Sequence, residues 1–415
     1  MKKILNIIAQ RPDKTGSGIY LQSLVKEADK KNYRQAVIAG ISSEDNDIYF
    51  DTKEKVEFYP VVFNNTNIPF SIVGMSDVMP YKSTKYKDLT EDMFIKWENA
   101  FSIVLKQAID EFNPDIIICH HIWILTALVK KLYPNRNIIA FCHGTDLRQL
   151  KSFKNNSSNF SKKIIKFVIE NCSELKTIIV SHKAEQEEVI KLYNVNKNIV
   201  KIAGTGFNPD IFYKENSLRN HNFINIVYAG KLSYSKGVIS LIKSIDLLKK
   251  YHKNINLYIA GSGSGEEAYN ILELCKHKNF NFKIHILGSI SQKDLGNVFR
   301  KCDLFILPSF YEGLPLVVIE AIACGLKIVC TDLPGIKEWM GNTINESGII
   351  KYVPLPELKD IDIPVEEDLP IFETRLSESI KHQIHNSIHW SNELNNAIKN
   401  KSWKSAFESI EALFN

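Results

Sequence analysis

Hydrophobic residues gather in short runs that alternate with helical and glycine-containing segments. The runs lie at 3–9, 34–40, 115–119, 138–142, 177–181 and 199–203 in the first half, and at 224–229, 257–260, 284–287, 304–307 and 327–330 in the second. Runs this short and apolar are typical of parallel strands that are covered on both faces. Helical patterns between them, such as 19–30 and 90–112, indicate strand–helix repeats. The pattern therefore predicts an α/β fold.

The break between the two series predicts two Rossmann-like domains. We expect a first domain over 1–205, a polar linker over 206–222 and a second domain over 223–395. The region 41–88 interrupts the first series and predicts an irregular insertion whose loops recognise a substrate. The last segment, 396–415, ends in apolar residues at helical spacing and predicts a terminal helix.

The stretch 307–335, LPSFYEGLPLVVIEAIACGLKIVCTDLPG, carries the clearest chemical signal. It predicts a strand, a loop with Glu312, a helix whose first position suits Pro315, and a second strand. Free N–H groups at such a helix start suit a phosphate. Glu312 and Glu320, with seven residues between them, would repel a phosphate and should instead accept hydrogen bonds from hydroxyl groups. A phosphate flanked by hydroxyls describes a nucleotide sugar; the alternative is that both glutamates are solvated surface charges.

Other candidate ligand groups follow predicted strands. Lys231 ends the strand 224–229 and Lys236 begins a helix, so the two lysines can pair with two phosphate groups. His143 follows the strand 138–142, at the edge where ligands of open α/β sheets gather, and His120 and His121 stand in the same position after 115–119. Gly16 and Gly18 form the first strand-to-helix turn, which either approaches a ligand or is a plain tight turn.

These motifs resemble those of a known family. Glu312 and Glu320 within PSFYEGLPLVVIEAIACG look like the signature of retaining glycosyltransferases of family 4, which includes sucrose-, glycogen- and phosphatidylinositol-mannoside-synthesising enzymes. The resemblance implies a GT-B fold, in which two Rossmann-like domains face each other across a cleft and a C-terminal helix crosses back to the first domain. It also implies a hexosyltransferase-type enzyme that retains the anomeric configuration of a nucleotide-diphosphate sugar.

The resemblance also implies roles for individual residues. Glu320 would bind the ribose hydroxyls and Glu312 the donor sugar, while GKLSYSKG, with Lys231 and Lys236, resembles the diphosphate-binding segment. HGTDL resembles the histidine loop, which implies that His143 reaches the donor sugar or the acceptor. The implied catalytic residues are His143, Lys231, Lys236 and Glu312; further donor contacts are expected at Gly16, Gly18, Gly288, Gly313, Leu314, Pro315 and Glu320.

Composition limits the expected binding partners and the expected cellular location of the protein. A net charge of +5 over 415 residues is too small to indicate nucleic-acid binding. Seven scattered cysteines predict buried free thiols, and no apolar run reaches the length of a membrane span, so a cytoplasmic location is expected. The basic segment 151–167 either lies on an anionic membrane or forms a solvated helix face. The acceptor is left open as a glycan, a lipid-linked molecule or a small molecule.

Three alternative functions remain at this stage, and the third of them is an NAD-dependent enzyme, because the glycine-rich turn 261–265 after the strand 257–260 resembles a dinucleotide-binding turn. The triplets Asp45-Asn46-Asp47 and Asp360-Ile361-Asp362 would fit a metal-dependent transferase, but both lie in polar loops outside the strand–helix pattern. A non-catalytic protein that only binds a nucleotide sugar would use the same second-half residues. We expect neither a metal ion nor a cofactor, because lysines rather than carboxylates stand beside the predicted diphosphate position.

Overall fold

The chain folds into two compact units. The computed structural model describes residues 2–77, 79–215, 222–248, 254–276, 280–360 and 362–414. The first unit comprises Met1–Gly204 and Trp403–Asn415, and the second comprises Thr205–Ser402. Most of the predicted linker therefore belongs to the second unit, and its residues 216–221 lie outside the described residues.

The first unit is built on a seven-stranded parallel sheet with the order β3-β2-β1-β6-β7-β8-β9. Its strands are β1 (Lys3–Ile8), β2 (Arg34–Ser42), β3 (Glu57–Phe63), the two-residue strands β4 (Val73–Gly74) and β5 (Thr84–Lys85), β6 (Ile116–His120), β7 (Ile138–Phe141), β8 (Thr177–Val180) and β9 (Val200–Ile202). The helices are α1 (Gly16–Lys30), α2 (Glu91–Phe112), α3 (Ile124–Leu132), α4 (Thr145–Asn155), α5 (Asn159–Cys172) and α6 (Lys183–Tyr193).

Strand β3 was not predicted, and the expectation of an irregular region over 41–88 is wrong for its seven residues. The strand contains Pro60, which donates no hydrogen bond and so argues against a central position in a sheet. The proline is tolerated because β3 is the edge strand and pairs with β2 alone within the described sheet.

The second unit contains a six-stranded parallel sheet with the order β12-β11-β10-β13-β14-β15. This corresponds to the 3-2-1-4-5-6 order of a Rossmann fold. Its strands are β10 (Ile224–Ala229), β11 (Ile255–Ala260), β12 (Lys283–Gly288), β13 (Leu304–Leu307), β14 (Lys327–Thr331), β15 (Ile350–Val353) and a small antiparallel pair, β16 (Leu358–Asp360) and β17 (Ile363–Pro364). The helices are α7 (Val238–Leu247), α8 (Gly265–Lys276), α9 (Gln292–Lys301), α10 (Leu316–Ala323), α11 (Ile336–Met340), α12 (Asn342–Glu346), α13 (Leu369–His385) and α14 (Asn392–Lys399).

Both faces of the second sheet are covered, as the apolar runs predicted. Val227 and Phe305 pack into the hydrophobic cluster on one face, while Ile226 and Ile306 pack into the cluster on the other. Because neighbouring residues of one strand enter opposite clusters, the strand interiors leave little room for polar side chains. The charged candidate donor contacts of this unit all lie outside the strands: Lys231, Lys236, Glu312 and Glu320.

The last helix, α15 (Trp403–Glu411), packs on α1 of the first unit. Trp403 is buried, and its ring meets that of Tyr20 edge-on with centroids 4.9 Å apart. The returning segment begins at Trp403 rather than at residue 396, since α14 belongs to the second unit. Trp403 thus has the packing role expected from its helical spacing.

Candidate active site

The loop between β13 and α10 holds the two predicted glutamates. Glu312 lies in the loop, where the buried Ser309 donates a hydrogen bond of 2.9 Å to its Oε1. Helix α10 begins at Leu316, with Pro315 as its N-cap, so the proline lies one residue earlier than predicted. The cap makes no side-chain hydrogen bond, and the first turn of α10 contains no acidic residue.

Lys236 is bound to this loop. Its Nζ lies 2.8 Å from Glu312 Oε1 and donates a hydrogen bond of 3.0 Å to the carbonyl of Tyr311. The backbone N–H of Phe310 in turn donates to the carbonyl of Ser235 at 2.9 Å. The loop after β10 and the loop after β13 are therefore joined by an ion pair and a backbone hydrogen bond, both beside the start of α10.

Gly237 allows this close approach. Its φ is +65°, and a Cβ atom built there would lie 2.1 Å from the carbonyl oxygen of Pro308. Any side chain at this position would therefore push the two loops apart. The glycine that follows Lys236 has a packing reason that is independent of any ligand.

Glu320 is buried on the second turn of α10, with 6% of its surface exposed. Burial raises the pKa of its carboxyl group to about 8. In the ligand-free protein Glu320 is therefore mainly neutral at pH 7. A buried carboxyl group with this pKa is typical of a functional site.

The other predicted donor contacts of the second unit differ in their environment. The side chain of Lys231 is exposed, and its carbonyl accepts a hydrogen bond of 2.7 Å from Tyr228 Oη. Gly313 and Leu314 are partly exposed in the loop before α10, and Pro315 is buried. Gly288 ends β12 with φ +68°, and a Cβ atom there would meet nothing within 4 Å. Tyr228 had not been singled out from the sequence.

The glycine-rich turn GSGSG after β11 serves backbone packing. A Cβ atom at Gly261 would lie 1.8 Å from the carbonyl oxygen of Gly230, and one at Gly263 would lie 2.4 Å from that of Leu232. These glycines let the turn lie directly against the segment that carries Lys231. The sequence resembled a dinucleotide-binding turn here, but close packing of two backbones is sufficient to explain both glycines.

In the first unit the three histidines after β6 and β7 lie together. His120 Nδ1 is 3.2 Å from His143 Nε2, and the two rings are stacked with centroids 5.4 Å apart. His121 has φ +74°, and its ring lies 4.8 Å from that of His143, edge-on. His120 and His121 are buried, whereas His143 is partly exposed. Burial lowers the pKa of all three, to about 3 for His143, so all are neutral at pH 7.

The first turn of α1, which contains Gly16 and Gly18, contacts this cluster through Ser17. Its Oγ lies 3.0 Å from His121 Nε2 and accepts a hydrogen bond of 2.9 Å from Gln10. A Cβ atom at Gly18 would lie 2.8 Å from the backbone nitrogen of Asp13, whereas one at Gly16 would meet nothing within 4 Å. Of the two predicted glycines, Gly18 is thus needed for the local fold, while Gly16 leaves open space at the start of α1.

The triplet Asp45-Asn46-Asp47 has a partner within the chain. Both carboxylates contact the guanidinium of the buried Arg11, Asp47 at 2.8 Å, and Asp13 contacts it at 2.9 Å. The hydrogen bond from Arg11 lowers the pKa of Asp47 to about 2. These carboxylates compensate a buried positive charge, which gives the triplet a structural role. The second triplet includes Ile361, which lies outside the described residues.

The described ranges contain neither a cluster of side chains that could hold a metal ion nor a membrane-spanning helix. These ranges contain no group of three histidine, cysteine, aspartate or glutamate side chains that could hold a metal ion. None of their helices is both long enough and apolar enough to span a bilayer. None of the seven cysteines forms a disulfide, and all but Cys275 are buried.

The fold is that of GT-B glycosyltransferases, as the sequence motifs implied. The structure of Anabaena HepE in complex with UDP and glucose matches with a TM-score of 0.65 and 15% identity, covering 100% of this chain and 99% of that one. At this identity the likeness concerns the fold alone.

Sequence comparison defines the family. Residues 210–357 match the family described as glycosyl transferases group 1, and residues 15–211 match glycosyltransferase family 4. The chain belongs to these glycosyltransferases. It is 29% identical over 191 residues to an uncharacterized glycosyltransferase of Methanocaldococcus jannaschii, over 43% of this chain and 48% of that one. It is 27% identical over 168 residues to the D-inositol 3-phosphate glycosyltransferase of Paenarthrobacter aurescens, over 38% of this chain and 41% of that one. It thus spans less than half the length of either relative.

Replacing Gly237 by alanine should destabilise the second unit severely. The added Cβ would overlap the carbonyl of Pro308, and we expect a loss of about 3 kcal/mol or more in unfolding free energy. Gly265→Ala is the matched control, because φ is +75° there but no atom lies within 4 Å, so backbone strain alone should cost about 1–2 kcal/mol. Equal losses in chemical denaturation would contradict the clash.

Glu320 should make stability depend on pH. Its folded-state pKa of about 8 lies above the ordinary 4.5, so the folded protein binds more protons between these values. Unfolding free energy should therefore fall as pH rises from 4.5 to 8, on the order of 3–5 kcal/mol for this group. Glu320→Gln should remove that decline and leave stability at pH 4.5 nearly unchanged. Parallel stability profiles for the two proteins would show that Glu320 is ionised in the folded state.

Proposed function

We propose that this glycosyltransferase transfers a sugar from a nucleoside-diphosphate sugar to an acceptor hydroxyl, with retention of configuration and without a metal ion. The observation that carries the proposal is the arrangement at the start of α10. Lys236 is paired there with Glu312, and α10 itself carries the buried, neutral Glu320. A cation, a helix N-terminus and two carboxyl groups match a diphosphate flanked by two sugars.

The ion pair suggests how the donor is received. Lys236 and Glu312 are about one-fifth exposed, and their charges cancel in the ligand-free protein. A diphosphate competes with Glu312 for the ammonium group because it carries more negative charge. Glu312 is then released to accept hydrogen bonds from the donor sugar. Lys236, with the exposed Lys231, stabilises the charge that develops on the departing diphosphate.

Glu320 is suited to the ribose. Two hydroxyl groups that donate to its carboxylate would compensate its burial and lower its pKa, so that it becomes ionised only when a ligand is present. Gly313, Leu314 and Pro315 would place the start of α10 against the sugar phosphate, and Gly288 would lie beside the base. With these contacts, the hypothesis assigns residues to the sugar, the diphosphate, the ribose and the base of the donor.

The first unit would serve the acceptor and the transferred sugar. His143 is the partly exposed member of the histidine cluster, and its neutral ring can donate or accept one hydrogen bond without adding charge. Gly16 and Gly18 lie in the first turn of α1, which contacts the cluster through Ser17. In a retaining transfer the leaving phosphate itself helps to deprotonate the incoming hydroxyl, so no carboxylate base beneath the sugar is needed.

The basic segment 151–167 gives little support to a membrane-bound acceptor. Three of its lysines are paired with glutamates and so carry less free positive charge than the composition suggests: Lys151 with Glu188, Lys163 with Glu91, and Lys166 with Glu170. These pairs favour a solvated helix face over a membrane-binding surface. Peripheral membrane contact therefore remains the weaker part of the partner hypothesis.

Lys231→Ala and Lys236→Ala should each reduce transfer severely and leave the fold intact. Loss of a charge-assisted contact to the diphosphate should cost about 2–4 kcal/mol, or roughly 30- to 1000-fold in rate. The assay is turnover of the nucleotide sugar that gives the largest thermal shift in a screen. Lys276→Ala, an exposed lysine on α8 paired with Glu273, is the matched control. Near-normal turnover in both site variants would overturn the diphosphate assignment, and binding without transfer would point to a non-catalytic protein.

Metal dependence and stereochemistry can be tested together. Positive charge at the proposed diphosphate position comes from lysines and a helix N-terminus, so activity should survive excess chelator. Proton NMR of the fresh product should show the anomeric configuration of the donor. An inverted product, or activity that is lost with chelator and restored by manganese, would contradict the mechanism.

A further inference from the structure

A buried thiol lies between two carboxyl groups directly behind the His143 loop. Cys142 Sγ is 3.4 Å from Asp146 Oδ1 and 3.3 Å from Glu185 Oε1. All three residues are buried. Glu185 lies in the first turn of α6, outside every motif that the sequence suggested, and the proposed transfer mechanism assigns it no role.

Asp146 holds the backbone on which His143 stands. Its Oδ1 accepts a hydrogen bond of 3.1 Å from the N–H of His143, and its Oδ2 accepts one of 2.8 Å from the N–H of Ile122. The carboxylate thus ties the loop after β7 to the loop after β6. The backbone position of His143, and with it the place of its ring, therefore depends on this carboxylate.

The hydrogen-bond partners determine where the protons lie. The Cys142 thiol has one proton and can donate to only one of its two carboxyl neighbours. Asp146 accepts from two backbone N–H groups and is the better-stabilised anion, so the thiol donates to Asp146. Glu185 Oε2 accepts from the N–H of Ser181 at 2.7 Å, and its Oε1 lies 3.3 Å from the sulfur. With a proton on Oε1, Glu185 donates a hydrogen bond to Cys142 Sγ, and the Cys142 thiol in turn donates one to Asp146. Each donor then has an acceptor.

We propose that Glu185 in its neutral form is a positioning residue for His143, acting through Cys142 and Asp146. The inference rests on the proposed function of His143. When Glu185 loses its proton, two buried carboxylates compete for one thiol proton and repel each other. Asp146 then holds the N–H groups of His143 and Ile122 less firmly.

The surroundings of Glu185 agree with a neutral state. The titratable groups that face it are Asp146 on α4, Cys142 after β7 and Tyr20 on α1, and the N-cap residue His182 accepts from the N–H of Glu185 itself. Burial raises the pKa of Glu185 to about 7, and the other main influences on it are Ser181, Asp146 and Cys142. The pKa of Asp146 is also raised by burial, but the N–H groups of Ile122 and His143 lower it.

The sign of the pH effect follows from this shift. The folded pKa of Glu185 lies above the ordinary 4.5, so the positioning is intact below about pH 7 and is lost as pH rises through that value. Turnover at saturating donor should therefore decline by up to about tenfold per pH unit above pH 7. At saturating donor, a pH-dependent change in donor affinity caused by Glu320 does not affect the measured turnover.

The test uses the full chain with Glu185→Gln, and with Glu187→Gln as the matched control. A glutamine at 185 places its amide N–H toward Cys142 and its oxygen toward Ser181, which reproduces the neutral carboxyl group. Glu187 lies on the same helix but is exposed, so its replacement makes the same charge change outside the cluster. Glu185→Gln should abolish the alkaline decline in turnover, and Glu187→Gln should retain it.

Amide hydrogen exchange tests the positioning without any substrate. In the unmodified protein, protection of the His143 and Ile122 amides, corrected for intrinsic exchange, should fall roughly tenfold between pH 6 and 8.5. In Glu185→Gln this protection should stay constant. Equal pH dependence in both proteins would overturn the proposal, as would an effect of the same size from Glu187→Gln. Carbon NMR of the Glu185 carboxyl group in the unmodified protein gives a further check, since a pKa below about 5.5 would also overturn it. If no nucleotide sugar is turned over, the proposed function fails while the exchange result still decides the role of Glu185.

Discussion

Burial of both sheet faces is the constraint on which the candidate site depends. Strand residues in the second unit alternate between two hydrophobic clusters, so an ionised side chain in mid-strand would have neither water nor a partner. The ionisable groups of the candidate site in this unit therefore lie after strand ends or on helix α10 and not in the strand interiors. Lys231 follows β10 and Glu312 follows β13, and in the first unit His143 likewise follows β7.

The same constraint decides which groups carry charge. His120 and His121 are buried, and burial lowers their pKa, while it raises the pKa of Glu185 and Glu320. Arg11 is buried and charged, and three aspartates contact it. Buried ionisable groups are therefore stabilised in two ways. Those with few partners are neutral, and Arg11 keeps its charge because several aspartates surround it. Groups of the first kind can change their charge when a ligand arrives, whereas Arg11 cannot.

Local spacing predicted the fold class and the order of elements around α10, because strand length, glycine position and the place of Pro315 are properties of short segments. Contacts between distant segments could not be predicted in this way. The pair of Lys236 with Glu312 joins residues 76 positions apart, and the cluster of Arg11 with Asp45 and Asp47 joins loops after different strands. Strand β3 was missed because Pro60 argues against a strand unless the strand is known to lie at an edge.

Glycine-rich turns show why a motif needs geometry before it indicates a ligand. In GSGSG, Gly261 and Gly263 are required because neighbouring carbonyl oxygens occupy the space of a Cβ atom, and Gly237 is required for the same reason. A Cβ atom at Gly265 or Gly288 would meet open space, but both residues have a positive φ that favours glycine, whereas Gly16 has neither a clashing neighbour nor a positive φ. A glycine that the fold requires would be retained with or without a ligand. A glycine with open space beside it and no positive φ is therefore the stronger evidence for a bound molecule, and by this criterion Gly16 supports the donor hypothesis more than the longer glycine motif does.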